Sequence, residues 1–221
     1  MTHLLEASPL WPAALDHIRY NSPHPARLAD FYVRAMGMSP TQLGASEFLL
    51  EAPSRSIVIG AGDVAGQPYS AFALSDDDHL GRYRAFLTSR HAELLPSPTA
   101  LFDRNAFAVR DPDGRLAVFG NRTRPRKPSA SGPAAGNLAG ELQHVVVASA
   151  RFAAMMEFYT DTLGFMISSS AEISILLPSG SLIMKKRLLP APCLPGPHQI
   201  GISSDAKWSA HSLRSFQPVV S

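Results

Sequence analysis

Three histidines of this 221-residue chain head short apolar runs: His17 in "HIRY", His144 in "HVVVA" and His198 in "HQIGIS". An imidazole at the head of a strand can offer a ring nitrogen to a cation. Neighbouring strands lie about 4.8 Å apart in the hydrogen-bonding direction. Two such rings aimed into one cavity can share a metal ion at roughly 2.1 Å from each nitrogen. Two neutral imidazoles and one carboxylate on one face of a divalent cation leave the opposite face open. The alternative for each histidine is simple packing at a strand end. The residues alone leave both readings open.

The elements that would position these histidines recur. "LDHIRYNSPHPARLADFYVRAMGM" (15–38) and "LQHVVVASARFAAMMEFYTDTLGF" (142–165) align without a gap at an offset of 127 residues. His17 falls on His144, Phe31 on Phe158, Tyr32 on Tyr159 and Gly37 on Gly164. Each segment opens with a β-branched and aromatic run that predicts a strand. Each continues into an amphipathic helix. The predicted apolar face is Leu28, Phe31, Tyr32, Ala35 and Met36 in the first, and Phe152, Met155, Met156, Tyr159 and Leu163 in the second. Gly37 and Gly164 stand where a left-handed residue ends a helix. Strands are expected at "EFLLEA", "SRSIVIG", "EISILL" and "SLIMKK".

A further strand-helix unit is expected at "YSAFALSDDDHLGRYRAFLTSR" (69–90), with "SDDD" capping its helix. It ends in "AFAVRDPDGRLAVFG" (106–120), where Asp111-Pro112-Asp113-Gly114 turns between two alternating strands. A fourth unit begins at "HQIGISSDAKWSAHSLRSF" (198–216) and breaks off at "QPVVS", so its last strands are expected to be absent. The fold class is therefore α+β: tandem βαβββ units, long-period repeats of one pattern, with the fourth incomplete. The chain divides into a domain over 1–122, a Pro-, Gly- and Ser-rich linker over 123–140 and a truncated domain over 141–221.

Composition narrows the function classes. Hydrophobic residues make up 45% and charged residues 17%, which suits a folded protein with a core. No apolar run is long enough for a membrane span, and no membrane partner is expected. The N-terminus lacks a secretory pattern, and the single cysteine, Cys193, reads as an ordinary loop thiol in a reducing cytoplasm. Net charge is +2, and the basic residues of "NRTRPRK" (121–127) read as a solvated linker, so nucleic acid is not an expected partner. His24, His79, His91 and His211 are expected to face solvent, and His3 lies in a frayed terminus. Trp208 is expected to pack in the core.

The "FY…LG" helix, the "DPDG" turn and the paired βαβββ order resemble the vicinal oxygen chelate superfamily, which includes glyoxalases, bleomycin-resistance proteins and extradiol ring-cleaving dioxygenases. The chain is most similar to a C-terminally shortened type I extradiol dioxygenase. That resemblance implies half-barrel sheets with helices outside. It further implies two histidines and a glutamate holding Fe(II), or less often Mn(II), with a small aromatic diol and O₂ as substrates. The family's two metal-binding histidines fall on His144 and His198. In the first half His17 matches the first position, but Tyr69 or Ser70 stands at the second and Val118 replaces the glutamate. The first pair of units is thus expected to be metal-free, with His17 structural or lining a cavity.

The resemblance leaves the third ligand unassigned, because the strand that would carry its glutamate lies beyond Ser221. The acidic residues nearest in sequence are Glu141, Glu157, Asp161, Glu172 and Asp205, and none is a persuasive replacement. An incomplete fourth unit implies an open strand edge, covered by a second copy in a homo-oligomer or left to weaken the fold. Two other functions compete with ring cleavage: a metal-free ligand-binding or inactive remnant, and a glyoxalase-type metalloenzyme.

Overall fold

The computed structural model describes residues 8–63, 67–125, 144–167, 173–177 and 180–186. The first unit runs β1 (Ala14–Ser22), α1 (Pro25–Met36), β2 (Ser39–Gly44), β3 (Glu47–Ala52) and β4 (Arg55–Ala61). The second runs β5 (Tyr69–Ala73), α2 (Asp77–Ser89), β6 (Leu95–Pro96), β7 (Phe107–Arg110) and β8 (Leu116–Gly120). Their strands form one sheet in the order β2-β3-β4-β1-β5-β8-β7-β6. β1 is parallel to β4, β5 is parallel to β8, and β1 meets β5 antiparallel. Each unit is therefore a βαβββ motif, and the two join through their first strands.

The third unit repeats the pattern. It comprises β9 (His144–Ser149), α3 (Phe152–Glu157), β10 (Met166–Ile167), β11 (Ile173–Leu177) and β12 (Gly180–Lys186), in the order β10-β11-β12-β9. The order matches β2-β3-β4-β1. The α+β architecture of repeated βαβββ units is as the sequence pattern predicts. The segment 198–216, with Trp208 and His211, lies outside the described residues, as do Cys193, His3 and most of the linker.

Local chemistry explains the element ends. Asp76 caps α2, its Oδ1 accepting from the His79 backbone N–H at 2.7 Å. Gly37 and Gly164 both take positive φ, 60° and 73°, and let the chain leave each helix without a Cβ clash. In the "DPDG" turn Asp111 Oδ1 accepts from the Arg115 N–H at 2.8 Å, and Gly114 adopts a φ of 90°.

Alternate strand residues divide into two faces. Ile18, Leu50, Ile57, Ile59, Phe72, Phe107 and Phe119 pack with Tyr32, Met36, Tyr83 and Leu87 of the helices. Val145, Val147, Met155, Tyr159, Leu163 and Phe165 of the third unit join the same cluster. Polar bonds hold that junction. Tyr83 donates its hydroxyl to the Leu163 carbonyl at 2.9 Å, Arg90 reaches the Asp161 carbonyl at 2.6 Å, and Arg151 pairs with Asp113 at 3.1 Å. Arg115 Nη2 donates to the Ala148 carbonyl at 3.1 Å, so the "DPDG" turn also grips the end of β9.

Three expectations change. Phe31 is 54% exposed and Ala35 is exposed too, because α1 buries Ala29, Tyr32 and Met36 instead. The equivalent helix continues past Glu157 as a π-helical turn, Phe158–Thr162, and Phe158 packs partly against the core. His79 is buried, not solvent-facing: its Nε2 bonds the Pro9 carbonyl at 2.9 Å and its Nδ1 lies 3.1 Å from Ser75 Oγ. His24 and His91 are exposed as expected.

Four phenols, three buried and Tyr20 partly buried, report on this packing. Burial pushes Tyr32 up to about 12. It also raises Tyr20, with Tyr32 adding to the effect, and raises Tyr83 and Tyr159. Below pH 10 these groups are protonated in the folded and the unfolded chain alike. Above it the unfolded chain releases protons that the folded chain keeps, so stability falls by about 1.4 kcal/mol per pH unit per tyrosine. The urea midpoint at constant ionic strength should fall steeply upward from pH 10, and less steeply in Tyr159→Phe. A flat profile across that range would contradict the packing described.

Candidate functional site

The sheet face away from the helices carries the positions on which metal ligation was expected. Cross-strand register aligns one row: Glu51 opposite Ser56, Ser56 opposite His17, His17 opposite Ala71, Ala71 opposite Val118, and Val118 opposite Ala108. Residues in such a row point to the same face. The first-half histidine and the valine in the glutamate position thus share one lattice row, two strands apart. Of Tyr69 and Ser70, Tyr69 faces His17, with ring centroids 5.6 Å apart in an edge arrangement. Phe102 approaches the other flank at 5.1 Å.

His17 is fully buried and held at both nitrogens. Nδ1 lies 2.7 Å from Asp16 Oδ2 and Nε2 lies 3.1 Å from Thr99 Oγ1. A carboxylate only accepts, so Nδ1 carries the proton, and Nε2 faces a threonine hydroxyl that also accepts from the Leu101 N–H. These two contacts fix the orientation of the ring.

The centre of this face is Arg122. Its Nε reaches Asp16 Oδ1 at 2.7 Å and Oδ2 at 3.0 Å, Nη1 reaches Glu51 Oε1 at 3.2 Å, and Nη2 reaches Ser56 Oγ at 2.8 Å. Asp16 and Glu51 are both buried. Sequence reasoning placed Arg122 in a solvated basic stretch, and this is a correction. The planar five-donor fork of arginine satisfies two carboxylates and a hydroxyl at once, which no solvated placement would do. The residue is aimed by its backbone, which bridges to Phe102 across from the end of β8. Gly120 makes that approach possible: a Cβ there would lie 2.6 Å from Ala106 Cβ and 2.7 Å from Phe102 Cδ2. Buried acids on β1 and β3 were the one available signal, since each needs a cation.

Third-unit register gives the matching row. Met166 opposes Leu176, Leu176 opposes Ser181, and Ser181 opposes His144. Ser181 takes the place of Ser56 and His144 that of His17, but Leu176 stands where the first half has Glu51. Gln143 falls on Asp16 in the aligned repeat. Neither carboxylate of the first half therefore has a counterpart beside His144. His198 lies outside the described residues, as do Glu141, Glu172 and Asp205. Glu157 and Asp161 are exposed on the third-unit helix and are no replacement for the missing acid. Among the described residues, no group of three or more His, Cys, Asp and Glu could hold a metal ion. Iron or manganese would need a carboxylate that these described residues do not supply.

A shallow cleft of about 460 Å³ lies elsewhere, between the start of α1 and the β2–β3 turn, lined in part by His24, Arg27, Ser46 and Phe48. It is open to solvent and shares none of the rows above. No helix of the described residues is long and apolar enough to cross a membrane.

The sequence matches no family model and no curated protein. Its structure is similar to known ones. A catechol 2,3-dioxygenase superposes with a TM-score of 0.60 at 14% identity, over 77% of this chain and 65% of that one. A Mn(II)-bound glyoxalase from Novosphingobium aromaticivorans gives 0.62 at 16%, over 79% and 62%. A variant homoprotocatechuate 2,3-dioxygenase from Brevibacterium fuscum gives 0.59 at 15%, over 79% and 53%. This chain thus covers less than two thirds of the length of each of these three. Together with the repeated βαβββ order, these likenesses identify the vicinal oxygen chelate fold.

One outcome follows for the first half. His17→Ala removes one partner each from Asp16 Oδ2 and Thr99 and leaves a cavity between Tyr69 and Phe102, so unfolding in urea should show a loss of about 2–4 kcal/mol. A loss within about 0.5 kcal/mol, the range of an ordinary surface change, would refute the structural role.

Proposed function

We propose that the protein is an extradiol dioxygenase homologue whose first two units are a metal-free scaffold. In this reading a divalent metal, Fe(II) or Mn(II), is held in the second half by His144 and His198, and a catechol-type aromatic diol is opened with O₂. The observation that carries it is the contrast between the two histidine rows. His17 is engaged by Asp16 and Thr99, with Arg122 beside it, whereas in the equivalent row of the third unit Ser181 and Leu176 follow His144 and Gln143 precedes it. The catechol dioxygenases among the structures of similar fold support the substrate class.

Such a metal would supply a Lewis-acid centre able to bind a diol and O₂ side by side. The chain's own contribution would be to place His144 by the β9–β12 register and to keep the first half from competing for the ion. A small aromatic diol and O₂ would be the partners, in a soluble setting such as the cytoplasm and with no nucleic acid. A homo-oligomer would be a further partnership in this reading, the second copy completing the fourth unit.

A second reading has its own observation. Leu176 stands in the place of Glu51, so among the described residues this row of the third unit brings no carboxylate of the kind that tight metal binding needs. That favours a metal-free ligand-binding member of the same fold, and favours a glyoxalase-type metalloenzyme less. Anaerobic reconstitution with Fe(II), then an assay with catechol or 2,3-dihydroxybiphenyl, separates the readings. About one ion per chain and a yellow ring-opened product are expected, both abolished in His144→Ala and in His198→Ala. Uptake that persists in both variants would reject the assignment, and neither uptake nor colour would establish the metal-free reading.

A further inference from the structure

The solvent side of α1 carries a pattern that neither the core nor the histidine rows use. Its core side is Ala29, Tyr32 and Met36. On the opposite side Arg27, Phe31 and Arg34 recur at i, i+4 and i+7, a spacing that sets them in one stripe, about a turn apart. All three are exposed, and at 54% Phe31 is the most exposed large hydrophobic residue among those described. Among the described residues no acid pairs with Arg27 or Arg34; Arg34 Nε reaches the Asp30 carbonyl at 3.4 Å. The first turn of α1 holds no acidic residue, and the helix dipole adds to the positive sign there. The stripe runs into the cleft of about 460 Å³ beside the β2–β3 turn, since His24 and Arg27 line it. Phe48, Pro23 and Pro25 give that cleft an apolar lining of fixed shape. A lone exposed aromatic is ordinary on a protein surface. An aromatic flanked by two unpaired guanidiniums and continuous with an apolar cleft has the composition of a docking surface.

Charge decides the occupant. In a symmetric contact a second copy would bring the same two cations to this face, and like charges set against each other oppose it. Two guanidiniums are also too few for a phosphate track. We infer that the α1 face is a docking site for an acidic peptide segment of another protein. Two carboxylates of the segment pair with Arg27 and Arg34, a large apolar side chain between them packs on Phe31, and the segment continues into the cleft beside Phe48. Arginine suits this role, because its planar fork can hold each carboxylate through two hydrogen bonds. The site is separate from His144 and His198 and stands or falls independently of the ring-cleavage reading.

Selection on the full chain from a random peptide display library, then fluorescence anisotropy with the synthetic consensus peptide, tests this. The consensus should carry at least two acidic residues around a large apolar one, and its affinity should fall as salt is added. Arg27→Glu combined with Arg34→Glu, and separately Phe31→Ser, should each weaken binding about tenfold or more. All these side chains are exposed, so the variants should keep the far-ultraviolet circular dichroism of the parent. If the charge reversal does not fold, the pair Arg27→Gln and Arg34→Gln carries the same expectation. Arg104→Glu, at an exposed arginine outside the stripe, should leave binding unchanged. A consensus without acids, no selected peptide, or equal loss in Arg104→Glu would overturn the proposal. So would self-association of the parent that the α1 substitutions abolish, which would assign the face to a second copy. Tighter binding of a single-stranded oligonucleotide than of the peptide would overturn it in favour of nucleic acid.

Discussion

A guanidinium enclosed between two buried carboxylates is the constraint around which the first half is arranged. Asp16, Glu51 and Ser56 come from three adjacent strands, and Arg122 comes from the chain just past the last strand of the second unit. The cluster therefore joins the first unit to the second across the sheet face that carries no helix. Breaking such a buried set by removing one partner costs far more than the set contributes over an apolar equivalent, because the remaining charges cannot return to water. The geometry depends in turn on small features. Gly120 admits the 102–106 segment, Phe102 bridges to Arg122, and Thr99 closes over His17.

The same lattice without that cluster gives the third unit its different character. Equivalent strand order and register bring a histidine and a serine to equivalent points, so the backbone plan is shared. What differs is charge: glutamine for Asp16 and leucine for Glu51. One copy thus sets its histidine beside two buried carboxylates, while the other has an amide and an aliphatic residue at the matching positions. The third unit is meanwhile tied to the second through Tyr83, Arg90, Arg115 and Arg151, and it shares their apolar core. A change at the "DPDG" turn would therefore reach the strand that begins at His144.

Much of the fold was legible because its signals are local. Asp76 and the "DPDG" turn act through their own backbone neighbours, and Gly37 and Gly164 act through φ alone. The gapless offset between 15–38 and 142–165 followed from residue identity and needed no geometry. The helix face was less legible: Phe31 looked like core by spacing, but the burial of Ala29 rotates it outward. β2 was not anticipated, since "SPTQLG" is an exposed edge with no apolar alternation. His79 and Arg122 were misplaced for one shared reason. Their partners are 70 and 106 residues away in sequence, at Pro9 and Asp16, and no short-range pattern announces a contact of that kind. Of the candidate metal site, sequence gave the residue identities, and the structure places only His144, at the head of β9 opposite Ser181.

In the proposed function the two histidine rows have opposite fates, one held internally and one binding an ion. Anomalous diffraction from crystals of the unaltered protein soaked in Mn(II) measures this directly. One peak in contact with the His144 imidazole, and none within the His17, Asp16 and Glu51 group, is the expected result. A peak beside His17, or none at His144, would contradict it.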